Sequence, residues 1–397
     1  MSFLRNTVLD FLRKADLMLL GLCVAANVYG IILIYSASRY WTRIDSYPIK
    51  QALAMCLGVF CFILCTYIDV EVLMEKWKWL FIASVGFILL LKTPLVDEAA
   101  AVASGNTNWL DIPGFPFSIQ PAEIVKLVFV MMVAKQLVWL REQRSGISSP
   151  FSILQLLLHF GFMGGLIMLV SGDMGMTVIY TGIFIIMMWA GGVSKKWFAA
   201  GITLAGAAAL LLWNFVLPGT TFWTDYRIMR FRVLFDHDLD PLGIGWHQTR
   251  SLLAIGSGKL TGMGYLNGTQ TQSAYKSSLP ERYTDFIFSA CGEELGMLGC
   301  LLILALLAAI ILRCFYVGLH APSPFTSLVA IGYGGMLLVQ TALNVGMCLF
   351  VAPVIGITLP FFSYGGSSLL TMYVAMGIVS GIRGRALPSW LQDRSRL

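Results

Sequence analysis

Ten apolar stretches, separated for the most part by short polar connections, decide what this chain can become. They run over Leu17–Tyr35, Gln51–Ile68, Trp79–Leu91, Ile119–Trp139, Phe151–Val170, Met174–Ala190, Trp197–Leu217, Leu295–Leu312, Thr326–Val351 and Ser368–Ile382. Most approach the roughly 20 residues that an α-helix needs to cross hydrocarbon; the third and the last are short. Of the 397 residues 57% are hydrophobic and only 12% charged, about half the charged share of a typical soluble domain. Lipid tolerates only backbone whose polar groups pair internally. The expected fold class is therefore an all-α integral membrane protein with about ten transmembrane helices. The first stretch follows Arg5, Arg13 and Lys14 and precedes Ser36-Ala37-Ser38, as a secretory leader would. Its apolar core is too long for one, and further spans follow.

Lys and Arg distribute by side. With an inside amino end, the inner segments hold Arg5, Arg13, Lys14, Lys76, Lys78, Lys135, Arg141, Arg144, Lys195, Lys196, Arg313, Arg383, Arg385, Arg394 and Arg396. The short outer loops hold only Arg39, Arg43, Lys50 and Lys92. Both termini are thus expected in the cytoplasm. Residues 1–15 read either as an amphipathic surface segment or as a frayed, solvated terminus, and 383–397 as a cytoplasmic tail. Topology accounts for the formal charge of +6 without a nucleic-acid partner. The eight cysteines sit almost entirely within apolar stretches and read as small buried hydrophobes, not a disulfide framework.

One connection is long: residues 218–284 separate the seventh and eighth stretches, and the topology places them outside the cell. A loop of that length is usually functional or disordered. Tyr226–Arg232 and Ser251–Ile255 mix aromatic, aliphatic and charged residues as short amphipathic helices do, which argues for order. Two further irregular segments, Asn106–Ile119 and Pro353–Ser367 (PVIGITLPFFSYGGS), fall on the same side. Such backbone must pack in protein or line a wet cavity.

Two motif-like stretches fail on inspection. Ile255–Thr261 (IGSGKLT) lacks the first glycine and the Ser/Thr of a phosphate loop. Asp236–Asp240 begins like a calcium loop, but Pro241 stands where glycine is required. His159, His247 and His320 show no ligand spacing.

Charges within or beside the apolar stretches carry more information. Glu123 and Lys126, in QPAEIVK, stand at i and i+3 on one helical face; they read either as a structural ion pair or as a charged wall of a polar cavity. Asp285, in LPERYTDFIF, either caps the next helix or serves as a carboxylate desolvated by Phe286-Ile287-Phe288 and tuned toward general-base work. In a helix starting there, Glu293 would lie about 12 Å further along and Glu294 on the opposite face, so the three would not cluster.

QPAEIVK, the block from Arg250 through SLLAIGSGKLTGMG, GTQTQ, LPERYTDFIF, GEELG, and Asn344 with GITLPFFSYGGSS occur in this order over nearly the whole chain. Together they resemble the SEDS family of shape, elongation, division and sporulation proteins, which includes RodA, FtsW and SpoVE. GTQTQ is most similar to the RodA branch. The resemblance implies a peptidoglycan glycosyltransferase of the bacterial inner membrane that polymerises lipid II into glycan strands for cell-wall elongation and releases polyprenyl pyrophosphate. It implies Asp285 as the catalytic residue, with Glu123 and Lys126 lining a central cavity. Its implied partners are a class B penicillin-binding protein and the cell-elongation machinery. The chain departs from the family pattern at Tyr283, in place of a usual His, at Asn108-Trp109-Leu110 in place of Arg-Trp-Ile, and at Ser171–Gly175 in place of Gln-Pro-Asp-Leu-Gly.

The chemistry needs a base for the acceptor 4-hydroxyl and positive charge for the departing pyrophosphate. Asp285 is the expected base. Arg227, Arg250, Lys259, Lys276 and Arg282 are candidates for holding pyrophosphate, with Lys126 deeper; Gln120, Ser363 and Tyr364 are candidates for sugar hydrogen bonds. A divalent cation, magnesium or manganese, can share the load, although the sequence shows no ligand cluster for one. A lipid II flippase or another transporter of lipid-linked substrates is the alternative, since irregular backbone and a buried ion pair also suit transport. A scaffold that recruits a wall-synthesis enzyme is a third reading, under which Asp285 would be dispensable.

Overall fold

The computed structural model describes residues 14–40, 46–97, 106–112, 114, 117–216, 220, 226–236, 239–240, 243–275 and 278–385. The amphipathic segment expected at 1–15 lies outside these except for its last two residues, as does the tail beyond 385. The fold is all-α. Its helices are α1 (Leu17–Ser38), α2 (Ser46–Tyr67), α3 (Val70–Glu75), α4 (Trp77–Leu89), α5 (Pro121–Glu142), α6 (Pro150–Ser171) and α7 (Met174–Ala190). They continue with α8 (Lys195–Leu211), α9 (Tyr226–Phe235), α10 (Ile244–Gly258), α11 (Ile287–Leu319), α12 (Pro324–Cys348) and α13 (Gly366–Gly384). Among the described residues the only β pairing is two isolated bridges, Val96–Leu110 and Leu110–Ile119, which tie the loop before α5 to itself. Among the described residues six helices are long and apolar enough to cross a membrane: α1, α2, α6, α8 (continued to Phe215), α11 and α12; α7 is apolar but shorter.

The helix ends follow local chemistry. Asp16, Ser149 and Asp173 accept backbone N–H bonds at the starts of α1, α6 and α7, and Ser323 with Thr326 makes a reciprocal capping box on α12. Pro121, Pro150 and Pro324 stand in the first turns, where a missing N–H is harmless. At the end of the bundle opposite α9 and α10, the buried Asp16 carboxylate pairs with Arg313 of α11 and Arg383 of α13, at 2.8 and 3.2 Å, and joins three helices.

α13 is buried along almost its whole length and packs most closely on α2. A side chain at Gly377 would meet the Phe62 backbone at 2.6 Å, so contact between these helices requires a small residue. α8, by contrast, has no buried residue.

The structure differs from expectation at α11. The apolar run begins at Leu295, but the helix begins at Ile287 and takes GEELG inside it, with a break at Gly296 (φ 66°, ψ −163°). The loop after α10 supplies partners for the interrupted backbone. Met263 N and Gly264 N donate to the Glu293 and Glu294 carbonyls at 2.9 and 3.0 Å, while Met297 N and Leu298 N donate to Lys259 O and Leu260 O at 2.9 and 3.2 Å. A Cβ at Gly296 would lie 2.3 Å from Gly262 N. Gly296→Ala is therefore expected to lower stability by about 2–4 kcal/mol, through positive-φ strain and the clash together, read as a fall in the thermal midpoint of the detergent-purified protein.

The same junction explains the paired glutamates. Glu293 accepts from Thr269 Oγ1 (3.0 Å), Gln270 N (2.8 Å), Thr271 N (2.7 Å) and Thr271 Oγ1 (2.6 Å). Glu294 accepts from Ser36 Oγ and Gln272 Nε2, both at 2.5 Å. GEELG is thus the receptor on which GTQTQ folds, and it anchors this part of the long loop to α11 and α1.

Candidate active site

Asp285 lies in the turn that precedes α11. It is not the helix cap: the cap position is Phe286, and no side chain caps this end. Three successive carbonyls fix the turn instead. Tyr283 O accepts from Tyr364 N (3.0 Å), Thr284 O from Ser363 Oγ (2.5 Å), and Asp285 O from Asn344 Nδ2 (2.8 Å). Asn344, from the penultimate turn of α12, also donates to Ile357 O at 2.6 Å. The segment PVIGITLPFFSYGGS, largely buried at Ile355, Ile357, Leu359 and Phe361–Ser363, is therefore the clamp that holds the Asp285 backbone. With main chain immobilised on three sides, the carboxylate is pre-positioned.

The Asp285 carboxylate is half-buried, and its Oδ2 stands 3.7 Å from where a Cβ would sit on Gly356, which turns at φ 67°. Burial raises its pKa to about 7; Glu281 and Asp173 push the same way and Arg230 opposes them. Buried Phe286 and Ile287 supply part of the apolar surround, and His247 of α10 meets the Phe286 ring at 6.1 Å.

A second carboxylate completes the group. Asp173 caps α7 through Oδ1, which accepts from Met176 N at 2.9 Å, while Oδ2 accepts from Asn108 Nδ2 (2.8 Å) and Gln120 Nε2 (3.1 Å). Burial lifts its pKa to about 6, with Glu123 adding to the rise and Arg230 countering it. The Arg230 guanidinium, on α9, interacts electrostatically with both Asp285 and Asp173, and burial lowers its pKa. One turn inside α5, Lys126 Nζ donates to Glu123 Oε2 at 2.7 Å, both side chains being buried. Tyr180 of α7 donates to Ala122 O at 2.9 Å and locks α5 beside α7. A succession of charges thus leads from Asp285 through Arg230 and Asp173 to Glu123 and Lys126 inside the bundle.

The structure gathers only part of the set expected from sequence. Asp285, Gln120, Glu123 and Lys126 belong to this succession. Arg282 does not present its charge to a ligand: its buried guanidinium donates to Ala37 O (2.9 Å), Gln270 O (2.8 Å) and Ser273 O (2.8 Å), which makes it a staple between α1 and the long loop. Arg250 stacks over Trp246 at 4.0 Å. Lys259 is exposed and level with the Gly296 break, about 14 Å along α11 from its start. Ser363 has its hydroxyl engaged with Thr284 O and Leu359 N, as a clamp residue, and Tyr364 stands beside Tyr47 and Tyr283 in an aromatic group. Lys276 and the side chain of Arg227 lie outside the described residues. Among the described residues no three His, Cys, Asp or Glu side chains form a metal-ligand set.

Asp173 and Arg230 were not expected from sequence. Asp173 sits in the departing SGDMG segment, and its partner Asn108 sits in the departing NWL segment, so two sequence anomalies meet in one hydrogen bond. Arg230 is one of three arginines in Tyr226–Arg232, and only the tertiary fold distinguishes it.

Residues 16–386 match the family of cell cycle proteins that comprises FtsW, RodA and SpoVE. The chain is 33% identical over 370 residues to the peptidoglycan glycosyltransferase MrdB of Escherichia coli K12, covering 92% of this chain and 93% of that one. It is 33% identical over 374 residues to the stage V sporulation protein E of Bacillus subtilis 168, covering 92% and 96%. Its fold matches a chain of a peptidoglycan synthase complex with a TM-score of 0.75, at 24% identity over 93% of this chain and 97% of that one. It also matches the rod shape determining protein RodA of Thermus thermophilus with a TM-score of 0.65, at 23% identity over 94% and 98%. The motifs, the clamp around Asp285 and these likenesses agree: the chain belongs to the FtsW/RodA/SpoVE family of multi-pass membrane proteins.

Proposed function

We propose that this chain is a peptidoglycan glycosyltransferase that polymerises lipid II, with Asp285 as its general base. The carrying observation is the geometry of Asp285: a backbone fixed at three consecutive carbonyls, a half-buried carboxylate, and the Arg230 guanidinium within its field.

Chain growth joins a sugar 4-hydroxyl to an anomeric carbon and expels polyprenyl pyrophosphate. Asp285 takes the hydroxyl proton as the new C–O bond forms. Arg230, with Lys126 deeper in the bundle, is the positive charge this chain brings to the leaving pyrophosphate. Asp173 adds its charge to the field around Arg230, and Gln120 with Asn108 holds Asp173. The lipid tail lies along the helices, which is why a sugar polymerase is built from membrane spans.

The reading places the 218–284 loop and Asp285 outside the cytoplasmic membrane and both termini inside, on the Lys/Arg asymmetry of the connections. Wall elongation is the favoured role, supported by GTQTQ and by the likeness to MrdB and RodA. A class B penicillin-binding protein is the proposed partner, supported by the likeness to a chain of a synthase complex that coordinates polymerization and crosslinking.

The test is to supply lipid II to the purified protein, alone and with its cognate transpeptidase, and to resolve the products by size, while a parallel vesicle assay follows lipid II across the bilayer. Glycan polymer is the expected product. Translocation without polymer would instead support the transport reading, for which the buried Glu123–Lys126 pair is the favouring observation.

A further inference from the structure

Three tyrosines from three separate elements meet next to the Asp285 turn. Tyr47 stands in the first turn of α2, Tyr283 two residues before Asp285, and Tyr364 in the clamp segment. The Tyr47 and Tyr283 rings stack, 5.0 Å apart and 23° from parallel. Tyr364 meets Tyr47 edge-on at 4.9 Å and 72°, and stands 6.1 Å from Tyr283. The clamp that fixes Asp285 fixes this group too. Tyr364 N donates to Tyr283 O at 3.0 Å; Gln51, one turn after Tyr47, donates from Nε2 to Ser363 O (3.1 Å) and accepts at Oε1 from Gly365 N (3.2 Å). The Tyr283 and Asp285 Cα atoms are at most about 7 Å apart, a separation on the scale of a disaccharide.

Burial is graded across the three rings. Tyr283 is 9% exposed and forms the floor, whereas Tyr47 and Tyr364 are half-buried. A ring covering the far face of Tyr47 would stand much further from Tyr283 than the 6.1 Å seen for Tyr364, so Tyr364 lies at the side of the stack. Neither partner ring covers that far face. The Tyr364 hydroxyl has no hydrogen-bond partner among the described residues, and a hydroxyl both donates and accepts. The group therefore offers a rigid aromatic face with a polar group at its side. A pyranose matches both: its C–H bonds, weakly positive, meet the negative face of an aromatic ring, and its hydroxyls meet the phenol. An acyl chain would use the face alone. Tyr283 stands where the family usually has His, so the stack is a feature of this chain.

We propose that Tyr47, Tyr283 and Tyr364 form a stacking subsite for a sugar ring of the glycan strand, which they hold in register with Asp285. Tyr47 supplies the face, Tyr283 backs it, and the Tyr364 hydroxyl fixes the orientation of the sugar. The inference rests on the glycosyltransferase reading for the identity of the sugar, but not on Asp285 being the base.

A β-1,4-linked N-acetylglucosamine tetramer is the probe, because it carries a glycan backbone without peptide, lipid or pyrophosphate. Saturation-transfer NMR on the full-length protein in detergent, with irradiation of aromatic protons, should pass saturation to the pyranose C–H protons. Tyr47→Phe keeps the face and should keep the signal. Tyr47→Leu keeps apolar bulk without the face; it should hold the wild-type thermal midpoint, weaken tetramer binding about threefold to tenfold and shorten the strands made from lipid II. Asp285→Asn separates the two readings, since it should bind the tetramer as the wild type does; polymer made by that variant would remove the base role and leave the subsite standing. No saturation transfer from the wild-type protein, or equal tetramer binding by a folded Tyr47→Leu protein, would overturn the proposal and leave the three rings as packing for the turn.

Discussion

Asp285→Asn is expected to lower the rate of lipid II polymerisation by about a hundredfold to ten-thousandfold, the usual worth of a positioned general base, while leaving the protein folded. The substitution is nearly isosteric. The interactions that hold this turn run through the backbone carbonyls of residues 283–285, not through the carboxylate, so the clamp from Asn344, Ser363 and Tyr364 survives. What is lost is a proton acceptor. An amide at neutral pH cannot take the acceptor hydroxyl's proton. Polymer assays on variant and wild type with matched thermal midpoints check this; near-wild-type glycan synthesis by the folded variant would remove Asp285 from the base role.

The second large effect is expected at Arg230. Arg230→Gln should reduce polymerisation by about a hundredfold to a thousandfold at neutral pH, because it withdraws charge from the leaving group in a partly dry site. It should also move the pH profile. Arg230 favours the ionised form of Asp285 against burial, Glu281 and Asp173, so removing it raises the pKa of the base and carries the acid limb toward higher pH. Arg230→Lys should restore much of the limb's position and less of the rate, since an ammonium supplies charge without the bidentate fork. A residue that merely braced the loop would lower activity without shifting the limb.

The bundle was largely legible because its signal is repeated: long apolar stretches leave the backbone few alternatives to helix. The Glu123–Lys126 pair was legible for a similarly local reason, since i and i+3 are neighbours on any helix. Asp285 stood out because a carboxylate followed by Phe-Ile-Phe is expensive without a purpose. Less was visible where residue type and role separate. Arg282 has the chemistry of a pyrophosphate ligand, yet three carbonyls from α1 and the long loop surround it. Glu293 and Glu294 could be read from sequence only as too far apart to cluster with Asp285; that they fasten GTQTQ, with Ser36 bonded both to Glu294 and to Gln272, is visible only in the tertiary fold. Arg230 and Asp173 come from elements far apart in sequence, and no local pattern carries the information that Asp285 lies near both.

The most direct test of the account is the pH dependence of kcat/KM for lipid II polymerisation between pH 5 and 9. With Asp285 titrating at about 7, its carboxylate form is active, so the rate should fall as pH drops through that value and level off above it. A profile that stays flat from pH 5.5 to pH 8.5 would contradict a base held at that pKa, and with it the central role assigned to Asp285.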